Sequence, residues 1–130
     1  MSRKLVSSGS PLEPVIGFSR AVRVGNMIAI AGTAPIAASG GTASKGEVYG
    51  QTLRCIEIIG QVLEEAGAGL EHVIRTRVMM TDITTWREAA RAHGEAFGGI
   101  GPACTFVEVS GFVDPDWLVE LEADAVVDPD

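Results

Sequence analysis

Cys104 stands in the stretch Gly101-Pro102-Ala103-Cys104-Thr105, directly ahead of a β-rich run, where a thiol facing a cleft could act as a nucleophile. No neighbouring residue supplies the base that would activate it, and the alternative is a small side chain that fills space. His93, in a helix-patterned segment, has the side chain that changes charge near neutral pH, so it is a candidate acid or base. A packed or capping histidine is the other reading. The second histidine, His72, is far away, and Cys55 and Cys104 form no Cys-x-x-Cys pair. No metal site is expected from that inventory, and the cysteines read as free thiols in a reducing compartment. Arg20 with Arg23, and Arg75 with Arg77, suggest local cationic patches on strand faces, or simply solvated arginines.

Such side chains need a folded scaffold, and 130 residues with 46% apolar and 21% charged content suit one ordinary globular domain spanning 1–130. The formal net charge of −7 repels a phosphate backbone, so nucleic acid is an unlikely partner. The longest apolar stretch, Met27 to Ala31, falls far short of the roughly 20 residues that span a bilayer. The N-terminus has a basic pair but no apolar signal-peptide centre. A cytoplasmic protein without membrane contact is expected.

Hydrophobic periodicity sets out the elements. Lys4 to Val6 is a weak first strand, and Arg20 to Val24, Gly25-Asn26 and Met27 to Ala31 form a hairpin. Ala37 to Lys45, rich in Gly, Ala and Ser, reads as an exposed loop. Leu53, Ile56, Ile59 and Leu63 mark the apolar stripe of a helix over Val48–Ala66, closed by Gly67. Gly60 on that stripe suggests a close backbone approach, and Ile59 and Met79 read as core. Val73 to Met80 is a strand; Thr85 and Glu88 have capping-box spacing and open a second helix through Phe97. Cys104 to Val109 and Leu118 to Val127 are the last two strands, with Asp114-Pro115-Asp116 as turn chemistry between them. The order β-β-β-α-β-α-β-β predicts an α+β layer whose second sheet face must be covered by something else, and self-association is the obvious means.

Several phrases then line up in order and spacing: Gly25-Asn26-Met27-Ile28, Ala31-Gly32-Thr33-Ala34-Pro35, Gln51, Ala66-Gly67, Asp82, Gly101-Pro102-Ala103, Val107-Glu108-Val109 and Val119-Glu120-Leu121-Glu122-Ala123. From about Gly17 to Val127 the chain resembles the YjgF/RidA family, also called the Rid or L-PSP family. The resemblance implies a chorismate-mutase-like α+β fold with a mixed sheet and two helices on one face. It also implies a homotrimer with inward-facing sheets and three small-molecule clefts between subunits. Active members hydrolyse 2-imino and enamino acids to 2-oxo acids and ammonia without a cofactor.

Those members carry an arginine directly after Pro-Ala, able to grip a substrate carboxylate with two charge-assisted hydrogen bonds. Here that position is Cys104. At roughly 1.5–3 kcal/mol per charged bond, losing the pair weakens binding of an amino-acid-like anion by on the order of tenfold to a hundredfold or more. Phe18 aligns with a family tyrosine and Ala90 with an asparagine, so other polar anchors are also gone. Glu120 persists, which in active members helps position the attacking water; a plain strand-edge carboxylate is the alternative. Gly32 persists as an open cleft floor. The pattern matches the arginine-less branches, and Phe18, Arg20, Gly32, Thr33, His93, Cys104 and Thr105 are the residues that could line a remodelled cleft. Arg20 is either a substitute guanidinium for the substrate or a solvated strand arginine.

Three functions are compatible with these residues. The first is a divergent, cofactor-free, deaminase-like hydrolase acting on a small imine or carbonyl metabolite. The second is a non-catalytic small-ligand-binding protein. An endoribonuclease or translation inhibitor ranks last, because the chain is acidic and has no close histidine pair for acid–base cleavage.

Overall fold

The computed structural model describes residues 2–128. Strand β1 (Arg3–Val6) is followed by a short helix α1 (Leu12–Ile16), then β2 (Ala21–Val24) and β3 (Met27–Thr33). Helix α2 (Val48–Glu65), β4 (Val73–Met80), α3 (Trp86–Phe97), β5 (Ala103–Glu108) and β6 (Val119–Val126) complete the order. The strands form one six-stranded sheet, β1-β2-β3-β6-β4-β5, antiparallel except for the parallel β4–β5 pair. This is the expected mixed α+β sheet, with β5 at its edge.

Alternation sorts the side chains onto two faces. Ile28, Ile30, Val78, Met80, Val119 and Leu121 are buried beneath Cys55, Ile59 and Leu63 of α2 and Ala89 and Phe97 of α3. The opposite face carries Ala29, Arg75, Arg77, Met79, Glu120, Glu122 and Asp124, all intermediate or exposed. Met79 is therefore not a core residue, because it takes the odd positions of β4, away from the helices. Ile59 is core as expected.

The hairpin turns on Gly25 and Asn26 between the paired Val24 and Met27, with Gly25 at φ +60°. Beyond α2, Gly67 adopts φ +86°, and Arg23 Nη1 donates to the Ala66 carbonyl at 2.7 Å, satisfying a helix-end acceptor. One element is added and two local expectations are corrected. Residues 12–16 form α1, whose five residues are too few to show a periodic pattern. A β-carbon on Gly60 would meet only Leu70 Cγ at 3.9 Å, an ordinary contact and not a backbone approach. Thr85 does not build a capping box: a 3₁₀ turn over Ile83–Thr85 precedes α3, so its hydroxyl donates back to the Asp82 carbonyl at 2.8 Å. Asp82 is the residue that caps, accepting from Thr84 N at 3.0 Å.

Gln51, fully buried on α2, ties the helix to the loop that delivers β6. Its Nε2 donates to the Asp116 carbonyl at 3.0 Å and its Oε1 accepts from Leu118 N at 2.8 Å. The start of β6, where Glu120 stands, is thereby fixed to the core. Among the described residues no helix is long and apolar enough to cross a membrane.

Candidate functional site

Glu120 projects from β6 on the helix-free face, opposite Met79 of β4. It lies over a β-bulge in β3, where the register shifts between Ile30 and Thr33. A β-carbon on Gly32 would lie 2.9 Å from Glu120 Oε1. The space left by this glycine is therefore occupied by the carboxylate; the cleft floor is open to Glu120 itself. Burial raises the Glu120 carboxyl above its ordinary range, and the nearby Arg20 charge partly opposes that.

Arg20 sits just ahead of β2, its backbone N donating to the Val6 carbonyl at 2.8 Å. It is 8% exposed, and its Nη1 donates to the Gly32 carbonyl at 2.5 Å and reaches Thr33 Oγ1 at 3.3 Å. The Phe18 ring lies 5.1 Å from its guanidinium carbon, a cation–π contact. The solvated reading of Arg20 is excluded by this burial. Thr33 is 1% exposed and spends its own proton on the Ala31 carbonyl at 2.8 Å, so it supports Arg20 from inside instead of lining a surface.

The supposed arginine patches do not form. Arg20 and Arg23 are three apart, so alternation sends them to different surroundings, Arg20 to Gly32 and Arg23 to the end of α2. Arg75 and Arg77 do share a face, but they are paired with Asp124 and Glu122. These pairs border a trough of about 590 Å³ on the same face, lined also by Phe18, Val22 and Ala29 but by neither Glu120 nor Cys104.

His93 and Cys104 belong to a second group. His93 Nε2 is 2.8 Å from Thr76 Oγ1, and its ring packs 4.7 Å from Phe97 and 6.3 Å from Phe106. Burial lowers its pKa, favouring the neutral imidazole. Cys104 is exposed and in parallel register with Thr76. Alternation from Phe106 places it on the helix-bearing face, while Thr105, in register with Arg77, turns to the other. Sequence reasoning missed Thr76, whose hydroxyl meets His93 and whose backbone is the register partner of Cys104; only strand pairing could have revealed it.

The two groups do not meet within one chain. Glu120 is level with Met79 and hence with Val107, whereas Cys104 lies about 10 Å further along β5, two strand spacings to the side and on the opposite face. Phe18, Arg20, Gly32 and Glu120 are brought together; His93 and Cys104 each neighbour Thr76 elsewhere, one through its side chain and the other through strand register.

Comparison with known proteins places this arrangement. The endoribonuclease L-PSP family model matches residues 9–127. A RutC family protein of Pyrococcus abyssi is 37% identical over 123 residues, covering 95% of this chain and 96% of the relative. The crystal structure of a Mycobacterium tuberculosis member of the YjgF/YER057c/UK114 family is 44% identical and superposes with a TM-score of 0.88, covering 97% of this chain and 100% of that one. A Rid-family protein of Yersinia pestis is 25% identical with a TM-score of 0.86, over 97% and 100% of the two chains. The bulged strand, the carboxylate on β6 and the Pro-Ala edge strand all fall inside the matched region, and the chain belongs to the endoribonuclease L-PSP family, that of the YjgF, Rid and RutC proteins.

Proposed function

We propose that this protein is a cofactor-free, deaminase-like hydrolase of small imine or carbonyl metabolites, working in clefts between the subunits of a homotrimer. Glu120 carries the reading. It is a half-buried carboxylate whose burial raises its proton affinity, held over a glycine where it can accept a proton from water. Attack of that water on the electrophilic carbon of the imine, followed by loss of ammonia, needs no redox partner.

The separation of the two residue groups supports the assembly. β5 is an edge strand with exposed Ala103, Cys104 and Thr105, and it can bring Cys104 and His93 to the Glu120 face of a second copy. Cys104 offers no guanidinium where the family arginine stands, and Arg20, Arg75 and Arg77 are already engaged. An uncharged substrate, or one whose charge is not a carboxylate, fits this cleft better than a 2-imino acid. Exposed Cys104 as a free thiol suits the reducing cytoplasm.

The test is a turnover assay with enzymatically generated imines and neutral enamines. Glu120→Gln should lower kcat by about 10²–10⁴ on any substrate the parent accepts. Equal turnover by parent and variant on every active substrate would reject the reading.

A further inference from the structure

We infer that Arg20 is the internal counter-charge that keeps Glu120 an ionised base, a positioning residue and not a clamp for the substrate, with Glu13 anchoring the segment that carries it. The inference rests on the reading of Glu120 as the base.

Gly32 is the shared element. Its carbonyl accepts from Arg20 Nη1 at 2.5 Å, and the place of its missing β-carbon is 2.9 Å from Glu120 Oε1. The guanidinium and the carboxylate therefore converge on one residue, from its carbonyl and its α-carbon. Arg20 is 8% exposed, so a substrate would have to displace the Gly32 and Thr33 contacts to reach Nη1. A buried guanidinium also needs a compensating negative charge nearby.

Burial works against the charged guanidinium, and the Glu13 and Glu120 carboxylates oppose that from beyond ion-pair contact. Glu13 is built into a latch. Its carboxylate accepts from Ser7 Oγ at 2.8 Å, Ser8 N at 2.9 Å and Ser8 Oγ at 2.7 Å. Its backbone carbonyl accepts from Gly17 N at 2.8 Å and Phe18 N at 3.0 Å. Residues 7–18 are thus closed into a loop that ends against the Phe18 ring and delivers Arg20 to Gly32.

The other charged and titratable groups facing Glu120 do not substitute. On its own strand Glu122 is paired with Arg77 of β4. Cys55, from α2 on the far side of the sheet, is a thiol pushed up by burial and stays neutral. Against the burial that favours protonated Glu120, Arg20 is the one opposing influence. An ionised Glu120 takes a proton from water; a protonated one cannot.

The experiment is side-chain NMR on the full chain, following the Glu120 carboxyl carbon and the Arg20 guanidinium nitrogens across an acid titration. In the parent, Arg20 should report an inflection at the midpoint of Glu120, and in Glu120→Gln that inflection should disappear. In Arg20→Gln the Glu120 midpoint should rise by about one pH unit or more, a tenfold loss of ionised carboxylate at a given pH, with Arg20→Lys restoring most of it. On an accepted substrate the acid limb of kcat should move up with the midpoint while KM stays within twofold. A flat Arg20 response in the parent, which does not depend on any variant folding, would overturn the inference. So would a raised KM with an unmoved Glu120 midpoint in Arg20→Gln. If Glu120→Gln still abolishes turnover in that case, only the role of Arg20 is lost; if Glu120→Gln retains full turnover, the catalytic reading itself is lost.

Discussion

At the scale of single residues, the site depends on a carboxylate kept where it is costly. Burial raises the folded-state pKa of Glu120, so the folded protein binds its proton more tightly than the unfolded chain does. With the folded value above the unfolded one, the ionised form loses stability as pH rises from about 4.5 through the raised value. Glu120→Gln should therefore raise Tm at pH 7 and leave it nearly unchanged near pH 3, read by calorimetry at both pH values. Gly32 is the companion constraint. A β-carbon there would intrude on Glu120 Oε1 at 2.9 Å, and the end of a flexible side chain can swing away at small cost. Gly32→Ala should thus shift stability by less than about 1 kcal/mol and, if Glu120 is the base proposed above, lower kcat at least tenfold by displacing its carboxylate. Denaturant unfolding and turnover on the same preparation separate the two effects.

At the scale of elements, α2 does more than cover the sheet. Of the stripe Leu53, Ile56, Ile59 and Leu63, the last three are buried, because a helix repeats its buried face every three or four residues, while Leu53 is only half-buried and Cys55 and Val62 complete the face. Gln51 was visible only as a motif letter, yet it joins α2 to the Asp116 carbonyl and Leu118 N. Gln51→Leu would take the protein partner from two part-buried backbone groups, at about 0.5–1.5 kcal/mol each. The expected outcome is a fall in Tm together with faster amide exchange at Leu118 and Val119, measured by hydrogen exchange. The 7–18 segment is the less legible case. Burial alone would raise the Glu13 carboxyl, but hydrogen bonds from Ser8 and Ser7 outweigh it and leave the pKa lowered. Nothing periodic announces such a latch; it is a set of side-chain-to-backbone bonds in a segment with one short helix.

At the scale of the whole molecule, the sheet has one face packed under helices and one left with ion pairs, alanines and the catalytic candidate. Cys104 and Glu120 lie on opposite faces of one chain, so a cleft containing both needs two chains. Sedimentation equilibrium should give three times the 13.6 kDa chain mass. Co-refolding Glu120→Gln with a cleft-filling Cys104→Trp chain should restore activity that neither has alone, since some interfaces then pair an intact Glu120 with an intact Cys104. Monomeric mass with full activity, or no complementation in mixed assemblies, would remove the shared-cleft arrangement.

The sequence by itself determined the α+β class, the positions of the strands and of the two long helices to within a few residues, and the replacement of the family arginine by Cys104. These follow from periodicity, turn chemistry and motif spacing, which are local properties of the chain. Only the tertiary structure decided that Arg20 turns inward to Gly32, that Thr33 is buried, that Met79 leaves the core, and that Thr76 meets His93. Each of these depends on which strand lies beside which and on a bulge that re-aims the side chains around it. Pairing partners distant in sequence cannot be read from spacing, and a site assembled across a sheet is made of such pairings.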